Sequence, residues 1–156
     1  MHRTREIVDK ALATFVAILM ATLVVDVLWQ VFTRFILADP SSWTEELARY
    51  LMIWVGLIGA AYAAGRGLHL AVDLLPNKLT GMRARTLRLA IGICTLLFAL
   101  VALFGGGTRL VWVMLKLGQT SASLQLPLGY VYLAVPISGV LIAFYAVMDL
   151  KTELRK

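Results

Sequence analysis

Three polar residues follow one face of the first apolar stretch of the sequence. Asp26 and Gln30 are four residues apart and Arg34 is four further on, a spacing that aligns them on one side of a helix. A carboxylate inside a bilayer costs a few kcal/mol, so its position is by default functional or partnered. Two interpretations of Asp26 stay open. In the first it is a site for a cation or a proton. In the second it is protonated or paired in a helix–helix contact, which is the commoner use of polar groups in membranes.

A second charged pair lies at the start of the next apolar stretch. Glu45 and Arg49 have the spacing of an ion pair on one helix face, and a solvated pair of this kind contributes under ~1 kcal/mol. Trp43 beside them is typical of the aromatic belt at a membrane surface. Ser42, followed three residues later by Glu45, matches a capping box and predicts that a helix starts there, with Glu45 and Glu46 near its positive end.

The sequence contains none of the motifs that would make these residues part of an enzyme. It lacks a GxxxxGKS/T phosphate loop, an HExxH zinc motif and a GxSxG nucleophile elbow. Its two histidines, His2 in the amino-terminal tail and His69 at a membrane edge, are badly placed to hold a haem between helices. Cys94 is the only cysteine, so neither an internal disulfide nor a cysteine-based metal site can form. We therefore predict no catalytic activity, no cofactor and no metal.

The composition indicates a chain that is solvated by lipid. Hydrophobic residues make up 60% of the sequence and charged residues 15%, and the mean hydropathy is +0.83. A water-soluble domain of 156 residues cannot bury that much apolar surface. The net charge of +6 does not indicate nucleic-acid binding, because the basic residues flank the apolar runs instead of gathering on one polar face. Such flanking residues are typical of the cytoplasmic ends of membrane spans, where they meet anionic lipid.

Four apolar stretches reach or approach the roughly 20 helical residues that cross a hydrocarbon core. We predict an all-α integral membrane protein, a single domain over residues 1–156. Its four transmembrane helices are expected at about 11–35, 42–64, 87–117 with a bend near 105–107, and 128–148.

The distribution of basic residues predicts the orientation. Most of the 15 Lys and Arg residues lie in the amino terminus, the middle loop and the carboxyl tail, so both termini are expected to be cytoplasmic. Residues 68–85 mix leucines with His69, Asp73 and later basic residues, which predicts an interfacial cytoplasmic segment between spans two and three.

Small residues recur along the predicted second span. Gly56 and Ala60 continue one row to Ala64, and Gly59 starts another that runs through Ala63. Rows of this kind let a second helix approach closely.

Two groups of residues resemble a known family. One group surrounds the start of the second span, and the other, a weaker match, lies at the start of the fourth. The first comprises Gln30-Val31, Arg34-Phe35, Pro40, Trp43-Thr44-Glu45-Glu46-Leu47, Arg49, Trp54, Gly59-Ala60, Arg66, and His69 with Val72-Asp73. The second comprises Leu126-Pro127, Tyr130, Tyr132 and Pro136. With these residues the chain resembles the small membrane subunit of TRAP (tripartite ATP-independent periplasmic) transporters, the DctQ-like family.

The resemblance implies one part of a three-part machine in the bacterial inner membrane. In that family a periplasmic binding protein captures an organic acid such as a C4-dicarboxylate or sialic acid. A large multi-span subunit then moves it by a sodium-coupled elevator motion, and the small subunit stabilises the fixed scaffold. The candidate subunit contacts in this sequence are Asp26, Gln30, Arg34, Trp43, Glu45, Glu46, Arg49, Gly56, Gly59, Ala60, Arg66, His69 and Asp73.

Two other classes of protein stay open. An autonomous four-helix exporter would use Asp26 as its proton-coupled carboxylate, although such exporters lack the block from Trp43 to Leu47. A membrane anchor of a redox complex is the third class.

Overall fold

A computed structural model describes residues 2–39, 41–66 and 82–154, and the regular structure in these ranges is helical apart from one isolated β-bridge between Thr120 and Pro127. Residues 67–81, which include His69, Asp73 and most of the predicted interfacial segment, lie outside the described residues.

The described ranges contain four helices that are long and apolar enough to cross a membrane, which confirms this part of the predicted fold class. We call them spans one to four. Span three continues from an α-helix through a π-helix into a second α-helix, and span four has a short helix before the long one. The elements are α1 (His2–Phe35), α2 (Ser42–Gly65), α3 (Met82–Phe98), the π-helix (Ala99–Gly106), α4 (Gly107–Lys116), α5 (Leu128–Tyr132) and α6 (Ala134–Leu154).

Helix α1 packs on the rest of the chain through one narrow seam. Most of its buried and half-buried side chains recur at alternating intervals of four and three residues, the repeat of a coiled-coil contact. Most other side chains of α1 are exposed. The stripe mainly meets α2, and near the amino terminus Arg5 and Asp9 also meet α6. The seam consists of Arg5, Asp9, Leu12, Val16, Leu19, Leu23, Asp26, Gln30 and Thr33.

The four spans pack in the order one, two, four, three. Helix α1 packs against α2, α2 against α6, and α6 against α3 and the π-helix. Span four is the innermost of the four. In its apolar 18-residue stretch 44% is buried inside the molecule, compared with 11%, 17% and 6% in the equivalent stretches of spans one, two and three. The outer faces of spans one, two and three are therefore open to lipid or to another protein.

Spans three and four approach closely because glycine lies at their contact. A Cβ atom on Gly139 would come within 2.8 Å of the backbone nitrogen of Phe104, and one on Gly107 within 2.9 Å of the ring of Pro136. Pro136 has no N–H to donate, and the break between α5 and α6 falls at Leu133, within the turn that precedes it. The π-helix packs on this same stretch of α6, and no sequence pattern predicted it.

Candidate subunit-contact surfaces

The exposed side of α2 carries most of the charged and small residues that the sequence singles out. Glu45, Arg49, Met52, Gly56 and Ala60 are all exposed and follow one another at intervals of three or four residues. We call this surface the α2 outer face. Arg49 Nη2 lies 3.5 Å from Glu45 Oε1, and the side chains are 68% and 71% exposed. Their ion pair is therefore solvated and leaves both charges available to a partner.

Gly56 on the α2 outer face and half-buried Gly59 beside it are not needed for packing within the described part of the chain. A Cβ atom built on either glycine meets no described atom within 4 Å. Gly65 at the end of the same helix is different, because a Cβ there would lie 2.5 Å from the ring of Tyr145. The chain's own fold requires Gly65, whereas Gly56 and Gly59 leave space for a helix from outside.

Glu46 points away from Glu45 and holds the loop between spans three and four. Its carboxylate accepts hydrogen bonds from the backbone N–H groups of Ala122 (3.1 Å), Ser123 (2.9 Å) and Leu124 (2.9 Å) and from the hydroxyl of Ser121 (3.1 Å). The hydroxyl of Tyr50 donates to the same carboxylate at 2.8 Å. The sequence grouped the two glutamates together, but the structure gives them separate roles.

This loop, residues 118–127, is a compact hairpin. The N–H of Ser121 donates to the carbonyl of Leu126, and that of Leu128 to the carbonyl of Gln119, both at 2.9 Å. Gly118 turns the chain with a φ of +60°. Glu46 satisfies backbone donors at the tip of the hairpin, so the hairpin has a fixed position beside the start of α2.

The predicted capping box at the start of α2 is wrong. The helix does begin at Ser42, but its N-cap is Ser41 and the cap has no side-chain hydrogen bond. Both hydroxyls have other partners: Ser41 Oγ lies 2.7 Å from Thr44 Oγ1, and Ser42 Oγ accepts a hydrogen bond from Ser123 Oγ at 3.2 Å. Thr33 Oγ1 lies 3.4 Å from Ser41 Oγ, so a hydroxyl cluster joins spans one and two here.

The polar stripe of span one is divided by the fold. Asp26 is only 5% exposed and Gln30 is half-buried, so both lie on the seam of α1, whereas Arg34 is exposed with its guanidinium 5.9 Å from the ring of Phe35. Within the described part of the chain, neither oxygen of Asp26 has a hydrogen-bond partner. Its side chain is therefore enclosed mainly by the chain's own residues.

A polar cluster that the sequence did not reveal joins spans one, two and four at the opposite end of the molecule. Arg5 Nη1 lies 3.0 Å from Asp149 Oδ1, and Arg5 Nη2 donates to the carbonyl of Gly65. The hydroxyl of Tyr145 donates to Asp9, and the Tyr145 side chain is 1% exposed. Partners 144 residues apart leave no local signal in a sequence.

Two further predicted contact residues lie at the ends of α2. Trp43 is exposed at the start of the helix. Arg66 follows its last turn, where its Nε donates to the hydroxyl of Tyr62 at 3.1 Å. In the described ranges, no group of three or more His, Cys, Asp or Glu side chains could hold a metal ion.

These features define a multi-span helical membrane protein whose polar clusters fasten its own helices together and whose small-residue surface is open. A model of the family described as tripartite ATP-independent periplasmic transporters, DctQ component, matches residues 23–156. The chain therefore belongs to this family, as the resemblance in its sequence implied.

Individual relatives agree with the family. The chain is 34% identical over 103 residues to the C4-dicarboxylate TRAP transporter small permease protein DctQ of Rhodobacter capsulatus, covering 65% of this chain and 44% of that protein. It is 36% identical over 92 residues to the sialic acid TRAP transporter small permease protein SiaQ of Vibrio cholerae, covering 59% and 53%. It is 30% identical over 118 residues to the isethionate TRAP transporter permease protein DctMQ of Oleidesulfovibrio alaskensis, covering 76% and 18%.

The matches span about half the length of the first two relatives. Because the family is a component of a transporter, the chain is not an enzyme. Family membership and the four spans together make it a multi-pass protein of the inner membrane.

Proposed function

We propose that this chain is the small membrane subunit of a TRAP transporter, in which it binds and stabilises the fixed scaffold of a large elevator-type subunit. In that role it supports sodium-coupled uptake of an organic acid that a periplasmic binding protein delivers. The family and the names of the relatives support the class of substrate, because those names specify C4-dicarboxylate, sialic acid and isethionate.

The relative DctMQ supports a large membrane partner. The match covers 18% of that permease, so a segment similar to this chain is joined there to a much longer permease chain. A covalent link of this kind keeps the two parts side by side. A small subunit that is separate from the large one would have to be held beside it by surface contacts.

The main support for the proposal is a contrast between two parts of the molecule. Hydrogen bonds and ion pairs join the spans to one another, whereas the α2 outer face is exposed and without such contacts to other described spans. Polar clusters at both ends of the molecule hold its spans together: Glu46 fixes the hairpin, and Arg5 and Tyr145 link spans one, two and four. A body fastened in this way is suited to remain still while another domain moves. Gly56 and Ala60 then offer a surface on which a scaffold helix can pack closely.

The surroundings of Asp26 give little support to the alternative, an autonomous proton-coupled exporter. A carrier needs a midplane site where several polar groups or broken helices converge. The carboxyl of Asp26 is buried, but among the described residues no polar group makes a hydrogen bond with it. We therefore assign Asp26 and Gln30 an indirect role, in the seam between spans one and two on which the α2 outer face depends.

We further propose that both termini and the interfacial segment near residues 68–85 are cytoplasmic and that the hairpin is periplasmic. The excess of Lys and Arg in the termini and the middle loop supports this orientation. Glu45, Arg49 and the hairpin would then face the side from which the binding protein docks. Arg66, His69 and Asp73 stay predicted contacts at the other end of span two.

Co-purification tests the proposed assembly. The chain is co-expressed with the affinity-tagged large subunit that is encoded beside it, and the eluate is examined for both proteins. We expect the chain to co-elute in stoichiometric amount in mild detergent. Absence of the chain from the eluate, with both proteins present and folded in the membrane fraction, would contradict the proposal.

A further inference from the structure

An apolar slot runs between spans three and four, on a surface other than the α2 outer face. Its volume is about 610 Å³, and it is open at the surface of the molecule. Its walls are aliphatic and aromatic side chains, all of them large except that of Ala143, and a single charged residue lies at one end. Residues that define the slot are Leu96, Leu100, Val140, Phe144, Val147 and Lys151.

The length of the slot matches one leaflet of a bilayer. Val140 and Lys151 are eleven residues apart on α6, so at ~1.5 Å per residue the slot is ~16 Å long. Half of a hydrocarbon core of ~30 Å is ~15 Å. An extended acyl chain that lies along the slot would therefore begin at the membrane surface and end near the midplane.

Basic residues gather at the surface end of the slot. Lys151 is exposed there, and Arg88 Nε on span three pairs with Glu153 Oε1 on span four at 2.7 Å. This pairing fixes the register of the two spans, so Arg85, about one turn before Arg88, lies at the same end. Basic pockets between membrane helices on the cytoplasmic side bind anionic lipid headgroups.

A lipid chain fits the slot better than a protein helix does. A helix with its side chains is ~10–12 Å across, and close helix contacts use small residues. Among the described residues that line the slot, Ala143 is the one small residue, whereas the α2 outer face has a row of two, Gly56 and Ala60.

We propose that the slot is a binding site for an anionic phospholipid, whose acyl chain lies between spans three and four and whose phosphate pairs with Lys151. The choice of the inner leaflet rests on the orientation proposed above. The lipid would fill the gap between two spans and so complete the surface of the subunit on that side.

Native mass spectrometry of the full chain, extracted from membranes that contain phosphatidylglycerol and phosphatidylcholine, tests this site. We expect preferential retention of phosphatidylglycerol. Lys151→Gln should reduce that retention about fivefold, the equivalent of roughly 1 kcal/mol per basic residue near an anionic surface. Lys116→Gln, at an exposed lysine outside the slot, is the matched control and should have no effect.

A second pair of variants tests the slot itself. Val140 lines the slot and is 51% exposed, so Val140→Trp should displace the acyl chain without disturbing the core. Val101, 70% exposed on span three, gives the control Val101→Trp. Equal retention of both lipids, or equal effects of each variant and its control, would overturn the proposal.

The same measurement on the chain bound to the large subunit distinguishes a lipid from a protein in the slot. Retention of phosphatidylglycerol in that complex is expected. Its loss on assembly would mean that the partner occupies the slot, and the lipid proposal would fail. Because retention is measured without transport, this failure is separate from failure of the proposed function.

Discussion

Replacing Gly56 or Gly139 with leucine should separate the assembly of the transporter from the fold of the chain. A Cβ on Gly139 would come within 2.8 Å of the backbone nitrogen of Phe104 and 3.0 Å of the carbonyl oxygen of Ala99. Backbone atoms of a packed helix cannot move aside easily. A Cβ on Gly56 meets no described atom within 4 Å and Gly56 is exposed, so the described part of the chain leaves room for a larger side chain there.

The expected magnitudes follow from these distances. Overpacking a helix contact costs roughly 1–3 kcal/mol, and backbone clashes put Gly139→Leu near the upper value. At about 2–4 °C per kcal/mol for a chain of this size, its melting temperature should fall by ~6–12 °C. Gly56→Leu should leave the melting temperature unchanged. If a scaffold helix packs on Gly56, the same overpacking cost should weaken association with the large subunit by ~5- to 150-fold.

Two measurements on purified protein check this pair. Thermal unfolding of each variant in detergent is followed by tryptophan fluorescence, and binding of the tagged large subunit is titrated in nanodiscs. We expect Gly139→Leu to lower the melting temperature. Gly56→Leu should keep the wild-type melting temperature and bind the large subunit more weakly. Wild-type affinity of Gly56→Leu for the large subunit would refute the assignment of the α2 outer face as the interface.

Three further predictions concern the hairpin, Asp26 and the orientation. Glu46→Ala should strongly accelerate amide hydrogen exchange in residues 122–124, measured by mass spectrometry, because it removes the acceptor of their N–H groups. The control Glu45→Ala should not, and equal exchange in both variants would contradict the role of Glu46. Asp26→Asn should keep both assembly and uptake, since no hydrogen bond to a described residue is lost, and loss of uptake by an intact Asp26→Asn complex would favour ion coupling. In a Cys94-free background, a cysteine introduced at Ser123 should react with a membrane-impermeant thiol reagent added to intact cells, and one introduced at Thr80 should not. Labelling at position 80 would contradict the proposed orientation.

The sequence predicted those features that depend on local composition. Apolar runs of sufficient length predicted the four spans, because the bilayer core imposes both the length and the helical form. The break at the start of span four also has a local cause in the sequence, the missing N–H of Pro136. The spacing of Glu45 and Arg49 likewise predicted their ion pair.

Features that depend on which helix faces meet were beyond the sequence. Glu45 and Glu46 are adjacent and chemically identical, and only the position of a hairpin 75 residues later distinguishes their roles. The cluster of Arg5, Asp9 and Tyr145 requires that spans one and four come together at one end. The capping box failed because the hydroxyls of Ser41 and Ser42 bond to other side chains instead of the helix N–H groups.

The most direct test of the proposed subunit role is uptake of a radiolabelled organic acid into proteoliposomes, driven by an inward sodium gradient with binding protein present. This chain alone, the large subunit alone and the two together are compared. We expect uptake only from the two together, since Asp26 carries the one buried carboxyl group among the described residues and no polar group there makes a hydrogen bond with it, whereas a carrier site needs several converging polar groups. Robust uptake by either protein alone would contradict the role of this chain as a required, non-transporting subunit.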